Sequence, residues 1–160
     1  MAAGWTTGGI GNTWGITQGQ SHSPTHSWSD SPDGNYVNNA NSYLRTPAYN
    51  LSGKRHLRLS AWYRYNLESG YDYVYLEYSL DGGATWSSQP LLTFNGNQSG
   101  WVWREVDAGV LDGRSNIALR YRLESDIGLN YDGFYFDDIV LSYEPYGCNV
   151  KFSYLPVVIK

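Results

Sequence analysis

One stretch constrains the fold more than any other: Tyr71-Asp-Tyr-Val-Tyr-Leu-Glu-Tyr-Ser-Leu-Asp-Gly-Gly-Ala-Thr-Trp86. In its first half Val74, Leu76 and Tyr78 alternate with Tyr73, Tyr75, Glu77 and Ser79. That is the period of a strand with one buried face. Its second half contains Asp81-Gly82-Gly83, and glycine supplies the positive φ angles of a tight reversal. Thr85 and Trp86 are expected to begin the return strand.

The same period recurs along the chain. Leu57, Leu59, Ala61 and Tyr63 alternate with Arg58, Ser60, Trp62 and Arg64. Val102, Arg104 and Val106 oppose Trp101, Trp103 and Glu105; Ile117, Leu119, Tyr121 and Leu123 oppose Ala118, Arg120, Arg122 and Glu124. Residues 133–142 read as a last long strand, and the Gly-rich residues 5–16 as one or two short ones. Residues 17–35 form a long polar loop, and such loops in compact domains are functional or held in place. No segment has a helical period. About eight to ten short strands separated by turns mean a sandwich or barrel. Strands far apart in sequence both read as buried, so the expected fold is all-β: a two-sheet antiparallel β-sandwich, a jelly roll, over residues 1–147. Residues 148–160 are expected to form a C-terminal tail or an added edge strand.

Composition narrows the function. Charged residues make up 16% of the chain, no more than the aromatic ones, and Tyr alone occurs 15 times. With abundant Gly, Ser and Asn between short apolar runs, this is the profile of a loop-rich exported protein. The net charge of -4 leaves no basic stripe for nucleic acid. Arg58, Arg64, Arg120 and Arg122 read as solvated faces or ion pairs. Cys148 is the single cysteine, so no internal disulfide forms; it reads as an idle thiol, with attachment or intermolecular pairing as the alternative. No apolar run reaches the roughly 20 residues of a membrane helix. Met1-Ala-Ala-Gly-Trp5 lacks the basic start and apolar core of a signal peptide. The chain is expected to be a monomeric piece of a longer exported protein.

The candidate chemistry is sparse. There is no His-Glu-x-x-His and no Gly-x-Ser-x-Gly. Residues 79–86 match an Asp-box pattern, whose physics is that of a turn. His22 and His26 are four apart, but Pro24 between them opposes a helix, so they read as solvated. Glu68 and Asp72 offer two carboxylates with nothing to fix their separation. Asp137 and Asp138 are adjacent in an aromatic and aliphatic strand, which is costly if they are buried unpaired. A calcium ion, which takes about six to eight oxygens, would offset that cost, and the long loop adds Asp30 and Asp33. Alternatively one Asp faces water and the other caps a neighbouring loop. Trp62, Tyr73, Tyr75 and Trp103 occupy the strand phase opposite the aliphatic residues. They form either a platform for sugar rings or a protein partner, or a second small core beneath the loops.

The order of motifs resembles a known domain type. It runs through Trp28-Ser-Asp-Ser-Pro-Asp-Gly-Asn-Tyr36, Tyr43-Leu-Arg-Thr-Pro47, Leu59-Ser-Ala-Trp-Tyr-Arg-Tyr65, Ser79-Leu-Asp-Gly-Gly-Ala-Thr-Trp86 and Asp132-Gly-Phe-Tyr-Phe-Asp-Asp-Ile139. It resembles the MAM-like jelly-roll module appended to secreted bacterial peptidases of the immune inhibitor A and bacillopeptidase F types. The resemblance covers residues 28–141. It implies a noncatalytic accessory domain outside the cell or at its surface, acting in folding, substrate docking or adhesion. Its partners would be the parent peptidase domain and a protein or glycan ligand. It also implies a structural calcium between the N-terminal loop and the last strand, held by Asp30 with Asp137, joined by Asp33 and Asp138. The ending Tyr154-Leu-Pro-Val-Val-Ile-Lys160 is similar to the ends of some exported proteins, which implies a C-terminal module. The alternative is an independent carbohydrate-binding module.

Overall fold

The computed structural model describes residues 4–145 and 153–155. Among the described residues eleven strands form two antiparallel sheets. The strands are β1 (Thr6–Ile10), β2 (Gly15–Thr17), β3 (Ser27–Ser29), β4 (Asn41–Arg45), β5 (Lys54–Asn66) and β6 (Tyr73–Ser79), followed by β7 (Leu92–Phe94), β8 (Asn97–Asp107), β9 (Ala118–Glu124), β10 (Gly133–Pro145) and β11 (Ser153–Leu155). One sheet has the order β1-β4-β9-β6-β7. The other runs β2-β3-β10-β5-β8, and β11 pairs with β10. Most neighbours in a sheet, such as β4 and β9 or β3 and β10, are far apart in sequence, which is the wrapped connectivity of a jelly roll. The only helical element among the described residues is a 3-10 turn, Gly109–Leu111. Cys148 lies outside the described residues.

The inward phase is as the alternation requires. Leu57, Leu59, Ala61 and Tyr63 of β5 are fully buried against Leu119, Tyr121 and Leu123 of β9 and Val74 and Leu76 of β6. The core between the sheets is aromatic. Tyr121 stacks on Phe136 at 4.2 Å, and Phe134 lies 4.8 Å from Phe94. Tyr63 and Tyr121, one from each sheet, share a hydrogen bond of 2.9 Å. Each fully buried hydroxyl thereby finds a polar partner in an apolar core.

Three local expectations are corrected. The return strand after the 80–84 turn starts at Leu92, not at Thr85. Asp81 instead closes the turn on itself: its carboxylate accepts from Thr85 N at 2.9 Å and Thr85 Oγ1 at 2.6 Å. The bond from Ser79, then those from Thr85, hold it well below the usual carboxylate range. The 17–35 loop is interrupted by β3, because Trp28 is buried and stacks on Trp5 at 6.0 Å. The strand at 101–106 begins earlier, at Asn97, pairing with Asn66.

β10 contains the irregularity that builds the site. Its pairing with β5 shifts register between Asp137 and Val140, and Asp138 has φ 50°. Phe134 and Phe136 point inward before the bulge; Ile139 and Leu141 point inward after it. An extra residue is the only way a period-two strand can bury both sets.

Candidate functional site

Asp137 lies on the outward side of β10 yet is only 1% exposed. The loop between β2 and β3 folds over it. Its Oδ2 accepts from the backbone N–H groups of His22 and Ser23, both at 2.9 Å, and its Oδ1 from Asp138 N at 2.8 Å. Asp138 accepts from His22 Nδ1 at 2.9 Å. The His22 ring lies flat on Trp62, 3.9 Å between centroids and 13° between planes, with Trp101 edge-on at 6.1 Å. Gln20 adds a bond to Arg64. His22 is open to solvent on its loop, as expected above, but it also serves as a clasp.

Asp30 sits at the other side of the same strand. Its backbone N–H donates to Phe134 O at 3.2 Å, and its Oδ1 accepts from Phe134 N at 2.8 Å and Ser31 Oγ at 3.1 Å. A Cβ on Gly133 would collide with that Oδ1, so the close approach depends on glycine. Asp30 Oδ2 is buried with no hydrogen-bond partner among the described residues. Burial pushes this carboxyl up to about 7 against the bonds that lower it. Phe134 and Asp137 are three strand positions apart, roughly 10 Å, so Asp30 and Asp137 occupy two separate sites. Asp33 is exposed on the loop beyond Asp30.

The four aromatic residues also divide. Trp62 and Trp103 are cross-strand partners on the outer face of the β2-β3-β10-β5-β8 sheet. Trp62 is covered by His22, while Trp103 is 50% exposed. Tyr73 and Tyr75 lie on the outer face of the other sheet, stacked 5.8 Å apart at 11°. Beside them is a cluster that sequence reasoning reached only as possible ion pairs. Glu77 is 5% exposed and accepts from Arg120 Nε at 2.5 Å and from Arg122 at 3.0 Å. Arg122 reaches on to Glu124 at 2.8 Å and lies 4.8 Å over the Tyr75 ring; Arg120 lies 4.3 Å over Trp86. Burial lowers Arg120, but a guanidinium starts so high that it stays cationic. The face is thus a rigid row of aromatic and charged groups held by its own ion pairs. The signal for it was the alternation of Arg120 and Arg122 opposite Glu77 and Tyr75, visible only once the strands are paired.

Glu68 and Asp72 are brought together with Asp126, their carboxylate oxygens within 4.8 Å of one another. Asp72 is fully buried, and its oxygens accept from Tyr36 Oη at 2.5 Å and Asp126 N at 2.9 Å. Those bonds tie together the loops that follow β3, β5 and β9.

Comparison with known proteins places this geometry in context. No protein-family model matches the chain. The chain is 32% identical over 161 residues to a segment of Bacillopeptidase F from Bacillus subtilis (strain 168). The match covers 96% of this chain and spans 11% of that protein's length. Among solved structures, the K3 cleaved adhesin domain of Lys-gingipain from Porphyromonas gingivalis superposes with a TM-score of 0.62 at 19% identity, covering 87% of this chain and 91% of that one. TmCBM61, solved in complex with beta-1,4-galactotriose, superposes at 0.55 with 16% identity, covering 89% and 90%. The fold is that of β-sandwich adhesin and carbohydrate-binding domains. No helix among the described residues is long and apolar enough to cross a membrane.

Proposed function

We propose that the chain is a noncatalytic, calcium-stabilised accessory module of a larger exported peptidase or surface protein, of the MAM-like kind. It acts outside the cell by docking a substrate or surface to its parent. The observation that carries this is the match along 96% of the chain to a segment amounting to 11% of a peptidase. A module of this size inside such a protein is an appended domain. The test is the reading frame on either side of this segment in its gene. A peptidase catalytic domain in frame is expected; a free-standing gene for this domain alone overturns the assignment.

The second reading, a carbohydrate-binding module, is favoured by the stacked Tyr73–Tyr75 pair, whose flat outward rings suit a sugar face. Retention on insoluble polysaccharides that is lost on Tyr73→Ala and Tyr75→Ala supports it. Equal retention of both variants and the parent chain, or none by any of them, rules it out.

For calcium, the support is Asp30, whose buried Oδ2 accepts no hydrogen bond among the described residues and is of the donor type calcium takes. Asp33 on the adjoining loop could add oxygen. Asp137 and Asp138 fit less well, because amides and His22 already occupy their oxygens. Chelation of a metal-loaded sample is expected to lower the melting temperature; an unchanged value overturns the site. In the chelated protein Asp30 holds a proton up to about pH 7, against 3.8 for an ordinary Asp. Between those values the folded chain binds more protons than the unfolded one, so stability falls as pH rises from about 4 to about 7, by no more than about 4 kcal/mol. Asp30→Asn removes that slope.

A further inference from the structure

The strand connectivity places five loops at one end of the sandwich: residues 11–14, 30–40, 67–72, 95–96 and 125–132. Together they present the carboxylates of Asp33, Glu68, Asp126 and Asp132 at or near the surface, with Asp30 and Asp72 buried beneath them, and the loops carry not one Lys, Arg or His. This end also concentrates exposed apolar side chains. Of the eight large hydrophobic residues exposed among the described residues, five lie here: Ile10 (70%), Val37 (39%), Tyr71 (63%), Ile127 (78%) and Leu129 (60%). Ile10 ends β1 opposite Asn41, where β4 begins, and so belongs to the same end.

These side chains stand on braced loops. Asn38 Nδ2 donates to the carbonyls of Ile127 and Gly128, both at 2.9 Å. Leu129 N donates to Glu68 Oε2 at 2.9 Å, and Tyr71 N to Glu68 O at 3.2 Å. Ser125 Oγ donates to Val37 O at 2.8 Å, and Asn39 N to Asp126 O at 2.7 Å. Apolar tips fixed in position cost little entropy on binding. An exposed apolar patch rimmed by charge of one sign marks an interaction surface, and the sign selects the partner.

We infer that this loop end is a docking surface for a polypeptide that presents apolar side chains between lysines or arginines. The apolar tips supply contact area; the carboxylates supply orientation and reject acidic chains. The site adjoins the Tyr73 end of one sheet face, but it is built from different side chains, so it stands whether or not Tyr73 and Tyr75 bind a glycan.

The test uses two fluorescent synthetic peptides with identical apolar residues, one with lysine and one with glutamate at the positions between them. Anisotropy is read at low and high salt. The lysine peptide is expected to bind at least tenfold more tightly, and to weaken by roughly tenfold at high salt. The Ile127→Ser, Leu129→Ser double variant is expected to lose about tenfold, as is Glu68→Gln with Asp126→Asn. The first pair alters no cap, so it reads the surface even if the second disturbs the loops; circular dichroism checks the fold of both. Equal binding of the two peptides, no binding of either, or a folded serine variant that binds as tightly as the parent chain overturns the inference. So does capture by phosphatidylcholine–phosphatidylserine vesicles that depends on Ile127 and Leu129 in the absence of peptide binding, since the occupant would then be a membrane.

Discussion

The two sheets bury the same kind of face and present opposite kinds outward. On the β2-β3-β10-β5-β8 sheet, Asp137 and Trp62 point outward and are roofed by the loop bearing His22. On the β1-β4-β9-β6-β7 sheet, Tyr73, Tyr75 and Glu77 point outward beside Arg120 and Arg122, whose ion pairs hold the row, with Trp86 of the β6–β7 loop packed only on Arg120. One face is organised by backbone amides donated from elsewhere in the chain, the other by ion pairs between adjacent strands. An outward aromatic residue on a strand can therefore be a loop's anchor or an open contact surface. The difference lies in whether a neighbouring carboxylate is spent on a loop or on a cation.

That contrast can be broken from either side. The largest effect is expected on the roofed face. Asp137→Ala strips the acceptor from three backbone N–H groups and should cost about 3 kcal/mol in urea denaturation, with a red shift of Trp62 fluorescence as the loop lifts. Glu77→Ala comes next, at about 2 kcal/mol, because Arg120 and Arg122 lose their shared carboxylate while keeping some contact with water. Glu77→Gln, which retains an acceptor, should cost less. His22→Ala removes one stacked ring and one hydrogen bond at a site a third open to solvent, for about 1 kcal/mol. It should expose Trp62 to an added quencher while leaving the core untouched. The smallest change is Tyr75→Ala, expected to shift stability by under about 1 kcal/mol, so that any loss of ligand retention reads the surface and not the fold.

Much of the fold was legible because alternation is a local property. Leu57, Leu59, Ala61 and Tyr63 announce an inward face whatever their partners are. The bulge in β10 was not anticipated: residues 133–142 read as one uninterrupted strand, although the change of phase between Phe136 and Ile139 carries its signal. The candidate site was less so. Asp137 looked like a calcium ligand because it adjoins Asp138 in an aromatic and aliphatic strand, and Asp30 because the long polar loop offers its carboxylate and the resemblance pairs the two. Only the pairing of β3 with β10 shows that they stand three positions apart, one with an unpartnered oxygen and the other closed by amides. Glu68, Asp72 and Asp126 are separated by up to 58 positions in sequence, and only the packing of three loops brings them together.

The amino-acid order by itself determined the class of fold, the inward set of side chains, the positions of most turns and the lack of a basic surface. Those follow from period, glycine and net charge, which each segment carries alone. The tertiary structure decided which outward groups are covered, which carboxylates share a site, and where exposed apolar side chains gather. These depend on register and on which loops meet at an end of the sandwich, and no single segment contains that information.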